Sequence, residues 1–309
     1  MLKGVAMRVV MTGSSGFIGR QLARQLRRTG LDLLAVGRGA APPDLAGVPW
    51  HRCDPERPDT YLPASHGDRP FTLVHLAGET GRPPRFAPHA AQALWVARWC
   101  DHWGGRGLQW VVMPGSAEEY GQRGGILRED DPPQGRLSAY GWGKAAARGL
   151  LETWSASTGA GVWWLRPFIA YGPGQKGDMA IPYAVRQFLR GRPADFSDGQ
   201  QQRDFVYIDD VVCAFETVIL APRGGFHAVN VGTGEAVPVR AVLGRLGELL
   251  GAGARFRFGA IPRRPGEPDV QVADTTRAER LLSWRAGIDW REGIERLADS
   301  LRKSRAWMA

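Results

Sequence analysis

Tyr140 and Lys144 stand four residues apart in Tyr140-Gly-Trp-Gly-Lys144. On a helix that spacing puts the phenol and the ammonium on one face. A phenol has a pKa of about 10 in water. A neighbouring ammonium favours the phenolate, and a tyrosine so held can exchange a proton near neutrality. Ser116 lies upstream in Pro114-Gly-Ser-Ala-Glu-Glu-Tyr120-Gly121. Its hydroxyl can hydrogen-bond the carbonyl or alcohol that takes part in the exchange. A Tyr-x-x-x-Lys spacing alone recurs by chance, so its weight depends on what surrounds it.

The second constellation is a glycine-rich turn, Thr12-Gly-Ser-Ser-Gly-Phe-Ile-Gly19. It follows the apolar run Val9-Val10-Met11 and opens a stretch, Phe17 to Arg28, with Ile18, Leu22 and Leu26 on one helical face. Gly13 can make the tight turn, Gly16 can let backbone approach a pyrophosphate, and Gly19 can let helix pack on strand. The helix start offers free N–H groups and a positive dipole to phosphate. Gly13, Ser15, Gly16, Phe17, Ile18 and Gly19 are therefore candidate dinucleotide contacts. At the end of the next strand, Val36-Gly37-Arg38, an arginine stands where an NAD enzyme usually has a carboxylate. Arg38 can pair with a 2′-phosphate, which favours NADP(H) and leaves NAD(H) possible.

These groups need a frame. Short apolar runs at Leu33 to Val36, Leu73 to Leu76, Trp110 to Met113 and Val162 to Leu165 alternate with helical stretches. That pattern predicts an α/β fold, a Rossmann-type doubly wound parallel sheet covered on both faces. The predicted division is a nucleotide-binding domain over 1–170, with a return segment at about 205–235. A smaller, interleaved substrate lobe takes 171–204 and 236–309, including two or three helices and a strand at Arg255 to Phe258. The 309 residues suffice for such a core. Lys and Arg outnumber Asp and Glu by 40 to 31, a formal charge of +9. The basic residues are scattered, which suits anionic small molecules better than nucleic acid. Cys53, Cys100 and Cys213 have neither disulfide nor metal-ligand spacing, and no metal is expected. No signal-peptide or membrane-span pattern is present, so a cytoplasmic protein without membrane partner is expected.

Taken together, the glycine turn, Ser116, Tyr140 and Lys144 resemble the extended short-chain dehydrogenase/reductase family, in its nucleotide-sugar epimerase, dehydratase and 4-keto-reductase branch. The likeness runs from about Met7 to about Trp290. By that resemblance, Asp54 contacts the adenine, and Leu76, Ala77 and Gly78 of His75-Leu-Ala-Gly78 line the cofactor side. Pro167 belongs to the segment passing the nicotinamide. Ser116, Tyr140 and Lys144 are catalytic, with Lys144 also on the nicotinamide ribose. Glu79, Ser116, Glu118, Arg203 and Arg264 bind substrate. The two arginines suit a diphosphate by their planar donors, which points to a nucleotide-diphosphate sugar. Glu118 also matches the acidic catalytic position of the dehydratases. The family usually has an Asn on the helix before the serine strand. Here that helix has none, and Ala93 or a neighbour takes the position.

Three reactions share these residues. Arg38 and Gly172-Pro-Gly-Gln-Lys176 point to NADPH-dependent reduction of a nucleotide-linked 4-keto-6-deoxyhexose, with GDP-4-keto-6-deoxymannose reductases as the nearest likeness. The alternative is a nucleotide-sugar 4-epimerase, and after it a 4,6-dehydratase. A non-catalytic NADP(H)-binding protein is the reading from a different class. The resemblance also implies a homodimer, with Trp95, Trp99, Leu150 and Trp154 on its helical face.

Overall fold

The computed structural model describes residues 8–54, 56–66, 68–78 and 85–303. Glu79, expected to bind substrate, lies outside the described residues. The first part of the chain runs β1 (Arg8–Thr12), α1 (Phe17–Arg28), β2 (Leu33–Gly37), β3 (Trp50–Arg52), β4 (Phe71–His75), α2 (Phe86–Trp103), β5 (Leu108–Pro114), β6 (Gly125–Leu127), α3 (Ala139–Thr158) and β7 (Gly161–Pro167). The rest runs β8 (Ile169–Tyr171), α4 (Ala180–Leu189), β9 (Ala194–Phe196), β10 (Gln202–Arg203), β11 (Phe205–Tyr207), α5 (Ile208–Leu220), β12 (Phe226–Val231), β13 (Val237–Pro238), α6 (Val239–Leu249), β14 (Phe256–Phe258), β15 (Val270–Ala273), α7 (Thr276–Leu282) and α8 (Trp290–Lys303).

Seven strands form one parallel sheet in the order β3-β2-β1-β4-β5-β7-β12. Strand order reverses direction at β1/β4, and ligands bind at the carboxyl ends beside such a switch point. Both faces are covered. Leu22, Ala23 and Leu26 of α1 join Val211, Phe215 and Val218 of α5 in one core cluster. Val96, Trp99 and Trp103 of α2 join Ala147 and Leu151 of α3 in the other. β7 is buried along its whole length, as a strand sandwiched between helices must be.

The edge strand β3 was not among the expected strands, and β4 begins and ends before the expected Leu73 to Leu76. Ser116 follows the fifth strand of the chain. The 125–127 segment leaves the large sheet. It pairs with β15, which continues to β10 and β13 in a second, four-stranded sheet. Among the described residues no helix is long and apolar enough to cross a membrane.

Candidate active site

The turn after β1 is built around close backbone contact. Gly13 has φ +69°, and a Cβ there would lie 2.4 Å from backbone atoms of Leu76 and Ala77. A Cβ on Gly19 would lie 2.2 Å from the Gly13 carbonyl oxygen. Both positions therefore require glycine. Ser14 turns inward, its hydroxyl donating to the Met11 carbonyl, while Ser15 and Gly16 stay exposed. Helix α1 starts at Phe17 with no side chain capping its N-terminus. Its first N–H groups are thus available to an anion, and a dinucleotide pyrophosphate fits this cradle. Across the switch point Thr12 accepts a hydrogen bond from the Ala77 N–H and shares another with His75 Nδ1 at 2.7 Å. That knot fixes the Leu76-Ala77-Gly78 edge against the glycine turn.

Arg38 is exposed at the end of β2, and its guanidinium has no ion-pair partner among the described residues. Asp54 is exposed just beyond β3, where the Cys53 N–H donates to the Gly37 carbonyl. The two residues thus lie at neighbouring strand ends. Pro167 is the last residue of β7, opposite Val231 of β12, on the same carboxyl edge of the sheet.

Ser116 lies two residues beyond the end of β5 and caps the 3-10 turn Ala117–Tyr120. Its hydroxyl accepts from the Glu118 N–H at 3.1 Å, and its own N–H donates to Glu119 Oε1 at 2.7 Å. Tyr140 lies in the first turn of α3, which Ser138 caps by accepting from the Gly141 N–H. Two glycines let this helix approach so closely. A Cβ on Gly141 would meet the Glu118 carbonyl oxygen at 2.4 Å, and one on Gly143 would meet His89 Cβ at 2.7 Å. The first contact brings the serine turn against the tyrosine turn. His89 of α2 packs edge-on against the Tyr140 ring at 5.5 Å.

Lys144 is buried, with its Nζ 5.6 Å from the Tyr140 ring centroid and donating to the Pro114 carbonyl at 2.8 Å. Burial lowers its pKa to about 8, against the opposing pull of the Glu119 carboxylate. Burial, followed by the charge of Lys144, likewise holds His75 well below the usual histidine range. The structure thus brings together Ser116, Tyr140 and Lys144. Glu118 lies in the same turn, with one carboxylate oxygen accepting from the Ser138 hydroxyl at 2.6 Å.

Arg203 and Arg264 are placed differently. Arg203 is buried and paired with Glu267 at 2.9 Å, which neutralises its charge. Burial lowers its pKa despite that pairing, and Arg263 and Arg264 add like charge. Arg264 is exposed. Arg263 is itself paired with Asp269 at 2.8 Å and lies 3.7 Å from Asp198, whereas no ion pair holds Arg264 among the described residues.

Two contributors were missed in the sequence. Of the positions expected at the family's Asn, Ala93 or a neighbour, Ala93 packs in the apolar cluster beneath α2. Gln92 is the polar residue there, buried, with Oε1 at 3.2 Å from where a Gly78 Cβ would stand. A search for any carboxamide on this helix, instead of Asn alone, finds it. The other is Glu119, hidden behind Glu118 in a run of two acids. Trp99, expected on a dimer face, is instead 2% exposed and meets the His75 ring edge-on, with centroids 4.0 Å apart. Its helical face is the one that covers the sheet.

Residues 9–232 match the NAD dependent epimerase/dehydratase family. The chain belongs to that family. Among solved structures, MoeE5 in complex with UDP-glucuronic acid and NAD superposes with a TM-score of 0.84 at 33% identity, covering 96% of this chain and 99% of that one. MoeE5 has also been solved with UDP-glucose and NAD. An uncharacterized UDP-glucose epimerase of Bacillus subtilis is 28% identical, with 93% of this chain and 96% of the relative covered. A UDP-glucose 4-epimerase of Mycolicibacterium smegmatis is 29% identical, with 96% and 99% covered. As a family member, the chain carries the Rossmann-type parallel sheet that the resemblance implied.

Proposed function

We propose that this chain is a nucleotide-sugar 4-epimerase acting on a UDP-linked hexose or hexuronate. The reading is carried by the likeness to MoeE5, which spans nearly the whole chain and was solved with both kinds of UDP-sugar. The expectation of a 4-keto-sugar reductase gives way to its alternative, because the relatives named above are epimerases or were solved with UDP-sugars and NAD.

The glycine turn, the Leu76 to Gly78 edge, Asp54 and Lys144 would hold a nicotinamide dinucleotide. Bound there, it supplies reversible hydride acceptance. The chain's own residues manage the proton and the orientation. Tyr140 takes the proton from the sugar C4 hydroxyl and later returns it. Lys144 stabilises the phenolate by its charge. Ser116 hydrogen-bonds the same oxygen. Arg203 and Arg264 face the diphosphate, while Glu118 and Glu79 bind sugar hydroxyls. Arg38 supports NADP(H), whereas the named structures contain NAD; we retain Arg38 as a reader of the 2′-phosphate.

A homodimer is part of the proposal. Four large apolar side chains are exposed on the paired helices α2 and α3: Phe86, Leu94, Trp142 and Leu150. Phe86 and Trp142 touch edge-on at 6.4 Å. Such a patch, repeated by a two-fold axis, gives a self-complementary four-helix contact.

The test is incubation of the purified protein with UDP-glucose and with UDP-glucuronic acid, with the C4 epimers resolved by chromatography. Interconversion without net oxidation of added NADPH supports the epimerase. Stoichiometric NADPH consumption on a 4-keto sugar, with no epimer formed, restores the reductase. Tyr140→Phe should lose roughly 10²- to 10⁴-fold in turnover while retaining cofactor; near-normal turnover refutes the assignment.

A further inference from the structure

We propose that Glu119 is a positioning residue of the active site: its carboxylate fixes the Ser116 turn, on the segment that Lys144 holds from the other side. The proposal rests on the assignment of Tyr140 and Lys144 as the catalytic pair.

Glu119 is 4% exposed. Its Oε1 accepts from the Ser116 N–H at 2.7 Å and from Trp164 Nε1 at 3.0 Å. Its Oε2 accepts from Arg166 Nε at 2.9 Å, in an ion pair whose side chains are both 2% exposed. Trp164 and Arg166 reach the carboxylate together because alternate residues of β7 share one face. The space is fully used. A Cβ on Gly115 would lie 2.4 Å from Glu119 Oε1 and 2.3 Å from Trp164 Nε1.

The location gives this pair its role. Glu119 holds Ser116 by its N–H, and Lys144 holds Pro114 by its carbonyl, two residues back along β5. The segment that presents the serine is thereby gripped from both sides. Arg166 uses Nη1 on the Tyr120 hydroxyl and the Glu129 carbonyl, so the grip continues into the buried network around Asn230. Titratable groups near the Tyr140–Lys144 pair come from four elements: Tyr140 on its own helix, His75 on β4, His89 on α2, and Glu119. Glu119 is the group that opposes burial by favouring the charged lysine, whereas His75 is held neutral.

The experiment compares wild type with Glu119→Gln, which keeps shape and one acceptor, and with Glu119→Leu/Arg166→Met, which replaces the buried pair by apolar groups of similar size. Such replacements often preserve folding. Thermal melts and cofactor retention identify the folded variants. UDP-sugar epimerisation then gives kcat, KM and their pH profiles. In Glu119→Gln the carboxylate charge is lost while Arg166 stays, so Lys144 loses its proton at lower pH; the double variant removes one charge of each sign and serves as the test of packing. The alkaline limb of kcat should therefore move down by about one pH unit in Glu119→Gln. In addition, kcat should fall about 10²-fold with KM little changed. A folded Glu119→Gln with wild-type kcat and an unmoved alkaline limb overturns the proposal. Loss of turnover only in proportion to lost folded protein overturns it as well. Tyr140→Phe is run alongside. If it retains full turnover, the catalytic assignment itself fails, separately from the role of Glu119.

Discussion

Arg38 shows how much one side chain can decide. It stands exposed at a strand end, without an ion-pair partner among the described residues, where a carboxylate would select the ribose hydroxyls. Charge-assisted hydrogen bonds contribute about 1.5–3 kcal/mol each. Arg38→Asp should therefore lower the NADP-to-NAD affinity ratio about 10- to 100-fold, read by competitive titration of the two cofactors. An unchanged ratio removes Arg38 from the site. Residues of this kind were legible because their chemistry is local: Arg38, Ser116 and the glycines all sit beside recognisable strand ends. Gln92 and Glu119 were not. Their side chains act on partners distant along the chain, Gly78 for one and Trp164 and Arg166 for the other, and nothing in their own sequence neighbourhood reveals those partners.

The elements divide in the same way. Helix α1 follows the expected Phe17 to Arg28 boundaries because the amphipathic period and Gly30, at φ +75°, define both ends. Strand β3 escaped the reading because Trp50-His51-Arg52 is short and polar, as edge strands often are. On α3 two kinds of glycine look alike in sequence. Gly141 is pressed on the Glu118 carbonyl, whereas a Cβ on Gly149 would meet nothing within 4 Å. Gly149→Ala should stabilise the protein by up to about 1 kcal/mol through helix propensity. Gly141→Ala should instead push the serine turn away from Tyr140, lowering turnover about 10²-fold. Thermal melts and epimerase assays on both variants check the contrast. Equal effects at the two positions would show that the close approach does not set the site.

For the whole molecule, the α2–α3 surface is the feature with the largest consequence. Trp99 and Trp103 turn inward to the sheet, while Leu94, Trp142 and Leu150 remain outside. Leu94→Asp combined with Trp142→Asp should convert a dimer to a monomer, seen by light scattering after size exclusion. A wild-type chain that is already monomeric would dismiss this interface. The tryptophans at 95, 99 and 103 illustrate the difficulty of reading such faces in a helix whose two sides are both apolar. Periodicity says they cluster but not which side meets the sheet.

The sequence by itself determined the fold class and pointed to the glycine cradle and the Ser116, Tyr140 and Lys144 set, because each depends on short-range spacing along one strand, turn or helix. Only the tertiary structure decided that β6 leaves the nucleotide sheet to join β15, that Arg203 is neutralised by Glu267, and that Glu119 stands behind the serine. Each of these joins residues far apart in the chain through burial and close packing, and local pattern carries no record of which distant partner will fill the space.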